Sequence, residues 1–600
     1  MSECAAPEPA ARRSTSEGDV VGFVGQYGEH AWLGIPYATP PVGALRWRPP
    51  QPAVTRTQPY HATAAGPSSA QRIPVYMAST VAPGSSAGSE DCLYLNIWAP
   101  AFTRDRVPTG DERLPVMFWI HGGANLVGQA ATYGGGALAT SQRVIVVSAN
   151  YRLGVLGWFR HAALRAATTD SDEQSGNFGT LDLVCALRWV RDNIAAFGGD
   201  PGNVTIFGES AGGGNVYSLL ASDRASTLFH RAIAQSGTPE TFGVDEAENL
   251  VDEDPPGAEK SSGEVLLQLL IYDGRASGRD AAKAYASRMS HEAVARYLRS
   301  KTFPELDQAY LGLEAASADP ASALRPFPAV FRDGSVLPRD GIMAALSRRD
   351  GYNRVPVILG TTRDEFTVLL PLISGTLLAQ PTAGGFEFRI RDKARYAIVA
   401  EYLAKLLKAY AVDEPAEALR RHSPGDVFVY RFDWDELPPA PWLDGILPGA
   451  THGLDVPFVL GHLNLGPEFF QLPLIKEQSL PSFNALAAIM TSYWAAFADR
   501  GDPGTGRRGE LPRWDPWTSD AGAPDRMMLF DSQARGGSRM CSSRVTRIGV
   551  LADLVDDVRL GSDVDRAHLF DDLLRIGGPY SLLAREDRAR FVALMSDRPR

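Results

Sequence analysis

The feature of this chain that most limits its fold is a series of short apolar runs rich in Val, Ile and Phe, each bounded by loop-like residues. Each run is too short for a helix and suits a strand that is covered on both faces. Helical patterns lie between several of the runs, notably at residues 181–197. This alternation predicts an α/β fold with a mostly parallel, twisted central sheet flanked by helices. The runs occupy residues 114–123, 143–151, 203–210, 231–237, 355–362 and 426–434.

Length and charge limit the class of protein. The chain has 600 residues, of which 44% are hydrophobic and 22% charged, as expected of a globular protein with a large buried core. The formal net charge of −11 argues against nucleic acid or an anionic membrane as a partner. No apolar run approaches the length of a membrane-spanning helix. We therefore expect a soluble protein that neither binds nucleic acid nor inserts into a membrane.

Cysteine usage gives an expectation about the cellular compartment. The four cysteines are far apart in sequence, with no CxxC pair and no spacing to histidine that suggests zinc. Sparse cysteines favour a reducing compartment, and the amino-terminal segment lacks the apolar stretch of a secretory signal. The sequence thus predicts a cytoplasmic protein. The cysteines are Cys4, Cys92, Cys185 and Cys541.

The pattern along the chain divides it into three parts. Residues 1–18 are polar and rich in Pro, Ala and Ser, which predicts a flexible amino-terminal tail. Residues 19–531 hold the strand series, with helical insertions near 264–317 and 391–420 that we expect to cap the sheet. Residues 532–600 begin with a linker-like run and continue as a helical extension.

Two pentapeptides match the G-x-S-x-G pattern of a serine nucleophile. One is GESAG, centred on Ser210, and the other is GSSAG, centred on Ser86. A nucleophilic serine needs a base and oxyanion donors, and α/β-hydrolases place it on a sharp turn between a strand and a helix. The strand-like NVTIF precedes Ser210 and the helix-like GGGNVYSLLAS follows it. Ser86 lies in a loop rich in Pro, Ser and Gly with no helix after it, so we interpret its match as accidental.

The remaining members of a triad should follow the nucleophile in the order acid, then histidine. After the run 355–362 the segment RDEF offers Asp364 and Glu365, and on residue type alone Asp364 is favoured because Asp is the commoner triad acid. Beyond the run 426–434 the loop GATHGLDVPF offers His452. Other histidines downstream stay open as alternatives, namely His422, His462 and His568.

An oxyanion site needs backbone N–H groups that approach the substrate closely. In an α/β-hydrolase, part of this site lies in a loop after an early strand. The segment FWIHGGANLVG provides such a loop, with Gly122, Gly123 and Ala124. We therefore predict that this loop forms one side of the oxyanion hole.

Longer stretches of the chain resemble one known family. The segments FGGDPGNVTIFGESAG (197–212) and EDCLYLNIW (90–98) are nearly unaltered signatures of the type-B carboxylesterases, the carboxylesterase/cholinesterase branch of the α/β-hydrolases. The resemblance covers about residues 19–531 and implies the α/β-hydrolase fold. Further matches are LGIPYATPPVGALRW (33–47), NYRLGVLG (150–157), GNFGTLD (176–182), GTTRDEF (360–366), GATHGLDVPFVLG (449–461) and YWAAFADRGDP (493–503).

By position in these motifs, the resemblance implies Ser210 as the nucleophile, Glu365 as the triad acid and His452 as the general base. It favours Glu365 over Asp364 because the family's acid takes the second place of the DE pair. The implied oxyanion donors are the backbone N–H groups of Gly123, Ala124 and Ala211, and the candidate supporting residues are Gly122, Glu209 and Ser236.

The resemblance implies two-step acyl transfer that needs no metal or cofactor. The expected partners are water and an ester, and we expect small to medium, largely apolar esters to be hydrolysed. A lipase that acts on long-chain acyl esters stays open if the insertions near 264–317 and 391–420 form an amphipathic lid. A non-catalytic interaction protein on the same fold is a weaker alternative, because such members typically lose the nucleophile.

Three departures from the family pattern have consequences. Ala124 replaces a glycine, which costs little if its φ is negative. Ser69 stands where secreted members have a cysteine that pairs with the equivalent of Cys92, so the resemblance implies a free, buried Cys92. Residues 66–92 contain no tryptophan for cation–π binding of a quaternary ammonium, so choline esters are not the expected substrates.

Overall fold

The computed structural model of the chain describes residues 5–73, 84–317, 327–374, 377–382, 387–423, 425–466, 472–518 and 527–597. Eleven strands in these ranges form one large mixed sheet, and we number them in chain order. They are β1 Phe23–Val24, β2 His30–Pro36, β3 Tyr94–Ala99, β4 Leu114–Ile120, β5 Ile145–Ala149, β6 Gly199–Glu209, β7 Arg231–Gln235, β8 Val357–Thr362, β9 Val427–Phe432, β10 Met527–Phe530 and β11 Arg539–Cys541.

The strands lie across the sheet in the order β1-β2-β3-β5-β4-β6-β7-β8-β9-β10-β11. Neighbouring strands from β5 through β10 are parallel, whereas β1, β2, β3 and β11 pair antiparallel at the two sides. Every residue of β4, β5 and β8 is buried, as expected of strands covered on both faces. The carboxyl ends of the parallel strands meet at one edge, where α/β proteins hold their ligands.

The six apolar runs singled out in the sequence each overlap one of these strands, so the prediction of a mostly parallel sheet is confirmed. Five strands lie outside those six runs, namely β1, β2, β3, β10 and β11. Strand β10 consists of four buried apolar residues and carries the same signal as the six runs. Strand β11 has only three residues, none fully buried, and its sequence carries no such signal.

Helices pack against this sheet. Phe178–Asn193 and Ala211–Ala221 contact β6, and Leu480–Arg500 contacts β4 and β6. None of the described helices combines the length and the apolar character that crossing a membrane requires. The other α-helices are Gly136–Gln142, Gly154–Gly157, Ala162–Arg165, Ser171–Ser175, Val244–Glu248, Ser262–Tyr272, Arg279–Ala286, His291–Arg299, Phe303–Ala316, Ile342–Leu346, Leu370–Ile373, Lys393–Lys408, Glu414–Arg420, Val456–Leu460, Arg547–Asp556, Asp563–Gly577 and Asp587–Ser596.

The amino-terminal segment differs from the flexible tail predicted for residues 1–18. Arg12–Thr15 is a strand that pairs antiparallel with Gly18–Val21. The buried guanidinium of Arg13 donates a hydrogen bond to the carbonyl of Phe102 at 3.1 Å. Polar composition was misleading here because backbone pairing and a buried arginine, rather than apolar side chains, hold the segment. The first four residues of the predicted tail lie outside the described ranges.

The described part of the carboxyl-terminal segment contains three α-helices, and the boundary placed at 532 separates two paired strands of the central sheet. Strand β11 lies beyond that boundary and pairs antiparallel with β10. The helices Arg547–Asp556 and Asp563–Gly577 pack against Lys393–Lys408. Residues 532–597 are therefore packed on the main unit rather than separate from it.

The two predicted insertions are helical. Residues 264–317 lie within a set of four helices from Ser262–Tyr272 to Phe303–Ala316. Residues 391–420 form Lys393–Lys408 and Glu414–Arg420, joined by one turn of π-helix.

Candidate active site

Ser210 occupies a sharp turn between β6 and the helix Ala211–Ala221. Strand β6 ends at Glu209 and the helix begins at Ala211, so this single residue connects them. Its φ of 58° and ψ of −125° form a conformation that residues with a side chain rarely adopt. The strand–turn–helix context predicted from the sequence is present, and it brings Ser210 to the carboxyl edge of the sheet.

The two glycines of GESAG lie so close to β4 that neither position has room for a side chain. A Cβ atom on Gly212 would lie 2.1 Å from the carbonyl oxygen of Ile120, and one on Gly208 would lie 2.6 Å from the same oxygen. Real Cβ atoms do not come so near to a backbone oxygen. The G-x-S-x-G spacing around Ser210 therefore follows from the packing of the turn against β4.

Ser86 has none of this context. Ser86–Ala87 is a two-residue strand that pairs antiparallel with Gln71–Arg72, and the side chain is exposed. No helix follows it, and it does not line the cavity that contains Ser210. These positions agree with the interpretation that its G-x-S-x-G match is accidental.

Glu365 and His452 form a hydrogen-bonded pair. The Nδ1 atom of His452 lies 2.5 Å from the Oε2 atom of Glu365, whose side chain is fully buried. The other carboxylate oxygen of Glu365 accepts hydrogen bonds from the Ser236 hydroxyl at 2.5 Å and from the Thr362 N–H at 2.7 Å. Three donors thus fix the carboxylate, and the carboxylate in turn fixes the orientation of the imidazole.

Asp364, the competing acid candidate, points to a different set of partners. Its Oδ2 atom accepts from the backbone N–H of Ala450 at 2.8 Å and from the guanidinium of Arg363 at 2.7 Å. Its own N–H donates to the carbonyl of Ala450 at 2.9 Å. Asp364 therefore anchors the loop that carries His452, and Glu365 alone of the two acids contacts the imidazole.

The alternative histidines lie elsewhere. The Nε2 atom of His422 lies 2.9 Å from the carbonyl oxygen of Ser347, and that of His462 lies 2.6 Å from the carbonyl oxygen of Gly134. His568 is exposed on the helix Asp563–Gly577. None of the three lines the cavity that contains Ser210.

Three residues whose backbone N–H groups have no acceptor in the described ranges line the same cavity. Gly123 and Ala124 lie in the loop after β4, and Ala211 is the first residue of the helix after Ser210. All three line the cavity, and none of their N–H groups donates a hydrogen bond to an acceptor in the described part of the protein. Unused donors from a loop and from a helix N-terminus can stabilise a negative oxygen between them.

Replacing the family's glycine with Ala124 would cost little only if the φ of this residue were negative, and it is not. Its φ is +56°, in the left-handed region that glycine occupies most readily. A residue with a Cβ pays about 1–2 kcal/mol in that region. In the same loop, Gly122 packs against the Ser210 turn, where a Cβ would lie 2.8 Å from the Glu209 carbonyl oxygen.

Buried polar groups support the oxyanion loop. The Tyr151 hydroxyl donates to the carbonyl of His121 at 2.7 Å, and the Asn215 side chain donates to the Asn125 side chain at 2.9 Å. The His121 ring stacks on Tyr151, with 4.4 Å between ring centroids. Burial lowers the pKa of His121 to about 4, so the ring is neutral and its Nδ1 lies 2.9 Å from the carbonyl oxygen of Gly122. These contacts hold His121 and the loop that follows it in place.

A second carboxylate faces the catalytic imidazole. The Oε1 atom of Glu209 lies 3.1 Å from the Nε2 atom of His452. Burial alone would lower the pKa of His452, but the charges of Glu209 and Glu365 raise it to about 9. Burial raises the pKa of Glu209 to about 8, against the opposing effect of His452. Glu209 therefore stabilises the imidazolium form of His452.

This geometry predicts a shift in the pH profile of Glu209→Gln. Only neutral His452 can accept a proton, so kcat/KM should fall as pH drops through its pKa. Removing the Glu209 charge lowers that pKa, and the acidic limb should move to lower pH by about one unit. The measurement is kcat/KM for p-nitrophenyl acetate against pH, followed at the isosbestic wavelength of the product. An unmoved limb, or a limb moved to higher pH, would contradict the assigned interaction.

Ser210 and His452 line one cavity of about 380 Å³ at the carboxyl edge of the sheet. Its volume suits a small-molecule ligand. The 391–420 insertion contributes Leu407, whereas no described residue of 264–317 lines it. Most of the remaining wall is apolar and comprises Phe242, Phe327, Ala329, Val330, Phe366, Val368, Leu369, Leu372, Ile373, Tyr580 and Leu582.

Sequence reasoning missed two contributors to this site. Asp455 is fully buried beside the triad and accepts from the Tyr430 hydroxyl at 2.6 Å and the Gln235 amide at 3.0 Å. The sequence signal that could have identified Asp455 was its position three residues after His452. Tyr580 and Leu582 reach the cavity from the carboxyl-terminal segment, and no sequence signal connected them to it.

The free thiol expected at Cys92 is present, and it is fully buried. The Ser69 hydroxyl forms a hydrogen bond with it, and that hydroxyl also accepts from the N–H of Leu153 at 3.1 Å. In the described ranges, no group of three or more His, Cys, Asp or Glu side chains is arranged to hold a metal ion.

Comparison with known proteins agrees with this geometry. A family model described as the carboxylesterase family matches residues 9–410. Carboxylesterase 1E of Rattus norvegicus is 32% identical over 529 residues, which cover 82% of this chain and 84% of that protein. Para-nitrobenzyl esterase of Bacillus subtilis (strain 168) is 32% identical over 505 residues, which cover 82% of this chain and 90% of that protein. The chain belongs to the carboxylesterase family.

Solved structures show the same architecture. A carboxylesterase from Geobacillus stearothermophilus matches with a TM-score of 0.64 and 28% identity, over 88% of this chain and 97% of that one. A thermophilic para-nitrobenzyl esterase matches with a TM-score of 0.65, also at 28% identity and with the same coverage. The fold is therefore the α/β-hydrolase fold that the motifs implied.

Proposed function

We propose that this protein is a serine carboxylic-ester hydrolase in which Ser210 is the nucleophile, His452 the general base and Glu365 its acid partner. One observation carries the proposal. A serine on a strained strand–helix turn shares a cavity with an imidazole that is hydrogen-bonded to a buried carboxylate. Such an arrangement has the parts needed to activate a hydroxyl at neutral pH.

Acylation begins when Nε2 of His452 accepts the proton of the Ser210 hydroxyl as Ser210 attacks the ester carbonyl. The buried Glu365 carboxylate keeps the proton on Nδ1 and stabilises the imidazolium that forms. The nearby Glu209 carboxylate adds to that stabilisation. His452 then gives its proton to the departing alcohol, which leaves an acyl group on Ser210.

The oxyanion formed in each step is held by the unused backbone donors. We assign this role to the N–H groups of Gly123, Ala124 and Ala211, since they line the cavity beside Ser210. Loss of one such donor typically costs about 3–4 kcal/mol of transition-state stabilisation. Water then attacks the acyl-enzyme with His452 as base, which releases the acid and restores Ser210.

The cavity wall supports a substrate class of small to medium, largely apolar esters. Apart from the reacting groups and the oxyanion loop, the wall is mainly Phe, Leu, Ile and Val. Each methylene buried there contributes about 0.8 kcal/mol, or about a fourfold gain in kcat/KM. A cavity of about 380 Å³ limits how many methylenes can add to this gain.

We test this class with p-nitrophenyl esters from acetate to palmitate, kept below their critical micelle concentrations. The expected kcat/KM rises with acyl length while the cavity fills and then falls for the longest chains. A steady rise to palmitate, with a further jump above the micellar threshold, would contradict the proposed class and favour a lipase. If none of these esters is hydrolysed, the result would contradict the proposal that the protein is an ester hydrolase.

A further inference from the structure

One carboxylate stands apart from the reacting groups in the otherwise apolar part of the cavity. Glu240 lines the cavity together with Phe242, Leu407, Tyr580 and Leu582. It is half-buried, and it lies in the segment that follows β7, four residues after Ser236. The mechanism derived above makes no use of it.

The Glu240 carboxylate has one protein partner and an unused oxygen. Its Oε1 atom accepts a hydrogen bond from the Ser581 hydroxyl at 2.9 Å, and Ser581 lies between two cavity-lining residues. Its Oε2 atom accepts no hydrogen bond from a described residue. No described Lys, Arg or His nitrogen lies within the 4.0 Å that an ion pair with it would need. A carboxylate removed from bulk water without a cation is costly.

The guanidinium that lies over the Tyr410 ring is already engaged. Arg547 lies 5.6 Å from the ring centroid of Tyr410 and pairs with Glu414 at 2.8 Å. Burial first, and then the charge of Glu240, raises the pKa of Tyr410 and of Tyr580. The carboxylate thus acts on two tyrosines, and no Lys, Arg or His of the described ranges forms an ion pair with it.

We propose that Glu240 determines substrate specificity by binding an ammonium group, with at least one N–H, that is carried by the ester. The unused oxygen can accept a charge-assisted hydrogen bond from that group, and the aromatic side chains of Tyr580 and Phe242 on the same wall favour a cation. A quaternary ammonium cannot donate to the oxygen and is not the fitted ligand. This inference rests on the proposed ester hydrolysis and names a substrate class for the same cavity.

The experiment compares amine-bearing esters with carbon isosteres of the same shape. Dimethylaminopropyl butyrate is paired with isohexyl butyrate to probe the alcohol side. Methyl dimethylaminohexanoate is paired with the matching branched methyl alkanoate to probe the acyl side. Released acid is quantified by chromatography at pH 8, where the amines are protonated. The measured quantity is the ratio of kcat/KM for the amine ester to that for its isostere, so a general loss of activity cancels.

Glu240→Gln is expected to lower this ratio about tenfold or more in at least one series, the order of a charge-assisted hydrogen bond. The matched control is Glu246→Gln, which removes the same charge six residues away at a half-exposed position and should leave the ratio unchanged. An unchanged ratio in both series for Glu240→Gln overturns the inference and leaves Glu240 as an anchor for Ser581. If the wild type hydrolyses neither neutral isostere, the proposed function fails instead.

A wild-type pH series keeps the inference testable if Glu240→Gln does not fold. Burial raises the pKa of Glu240 to about 7, against the opposing effect of the Ser581 hydrogen bond. The titratable groups around it are Tyr410, Tyr580 and Glu246, and both tyrosines stay neutral through this range. The ratio should rise between about pH 6 and 8 as Glu240 ionises. A flat ratio would overturn the inference, because both esters use the same His452.

Discussion

Replacing Ser210 with alanine is expected to reduce kcat for p-nitrophenyl butyrate by about ten thousandfold to a millionfold. The substitution removes the atom that forms the acyl-enzyme, so only binding and the oxyanion donors remain to accelerate attack by water. Alanine at this position keeps the small side chain that the turn tolerates, and the fold should persist. The measurement is steady-state kinetics of purified protein, with circular dichroism as a check on folding.

Ser86→Ala serves as the matched control because Ser86 has the same pentapeptide pattern without the turn. It should retain full activity, since its side chain is exposed on a two-residue strand away from the cavity. Activity retained in Ser210→Ala, or lost in Ser86→Ala, would contradict the assignment of the nucleophile.

Glu365→Gln is expected to lower kcat by about ten thousandfold, the size of effect seen when a triad acid becomes an amide. The amide cannot stabilise the imidazolium, and it can present a donor to Nδ1 of His452 and so favour the wrong tautomer. Asp364→Asn is the control, since an asparagine oxygen can still accept from the N–H of Ala450. It should change kcat/KM by less than about tenfold while lowering the free energy of unfolding by about 1–3 kcal/mol.

These two variants test which of the two neighbouring carboxylates is the triad acid. Residue type alone favours Asp364, whereas Glu365 is the one that contacts the imidazole. A large loss in Asp364→Asn with near-normal Glu365→Gln kinetics would move the acid role to Asp364. We measure kcat at several pH values, so that a shift of the pH optimum is not mistaken for a loss of activity.

The sequence predicted the features that are determined by residues close together along the chain. The Ser210 turn follows from a strand, a helix and two glycines within a few residues of each other. The runs that form β4 to β9 carry apolar residues on both faces, so composition alone indicates buried parallel strands. The triad order limited the base to the histidines that follow Glu365, and the resemblance to the family motif at 449–461 selected His452 among them.

Features that depend on distant packing were not predictable in this way. The choice of Glu365 over Asp364 depends on which carboxylate meets the imidazole and which meets Ala450, and adjacent residues give no local signal for that. The positive φ of Ala124 has no signal in its residue type, since alanine ordinarily adopts a negative φ. Tyr580 joins the cavity wall across more than three hundred residues from Ser210. The supposed tail at 1–18 was misjudged because hydrogen bonds, which leave no hydropathy pattern, hold Arg12–Thr15 in place.

The central claim is that His452 makes one serine, Ser210, reactive. Its most direct test is mass spectrometry of the protein after reaction with diethyl p-nitrophenyl phosphate, with peptides mapped to locate the adduct. We expect one diethylphosphoryl group per chain, on Ser210, formed in step with the loss of activity and greatly slowed in His452→Ala. An adduct on another serine with Ser210 unmodified, or labelling of Ser210 at the same rate in His452→Ala, would contradict the claim.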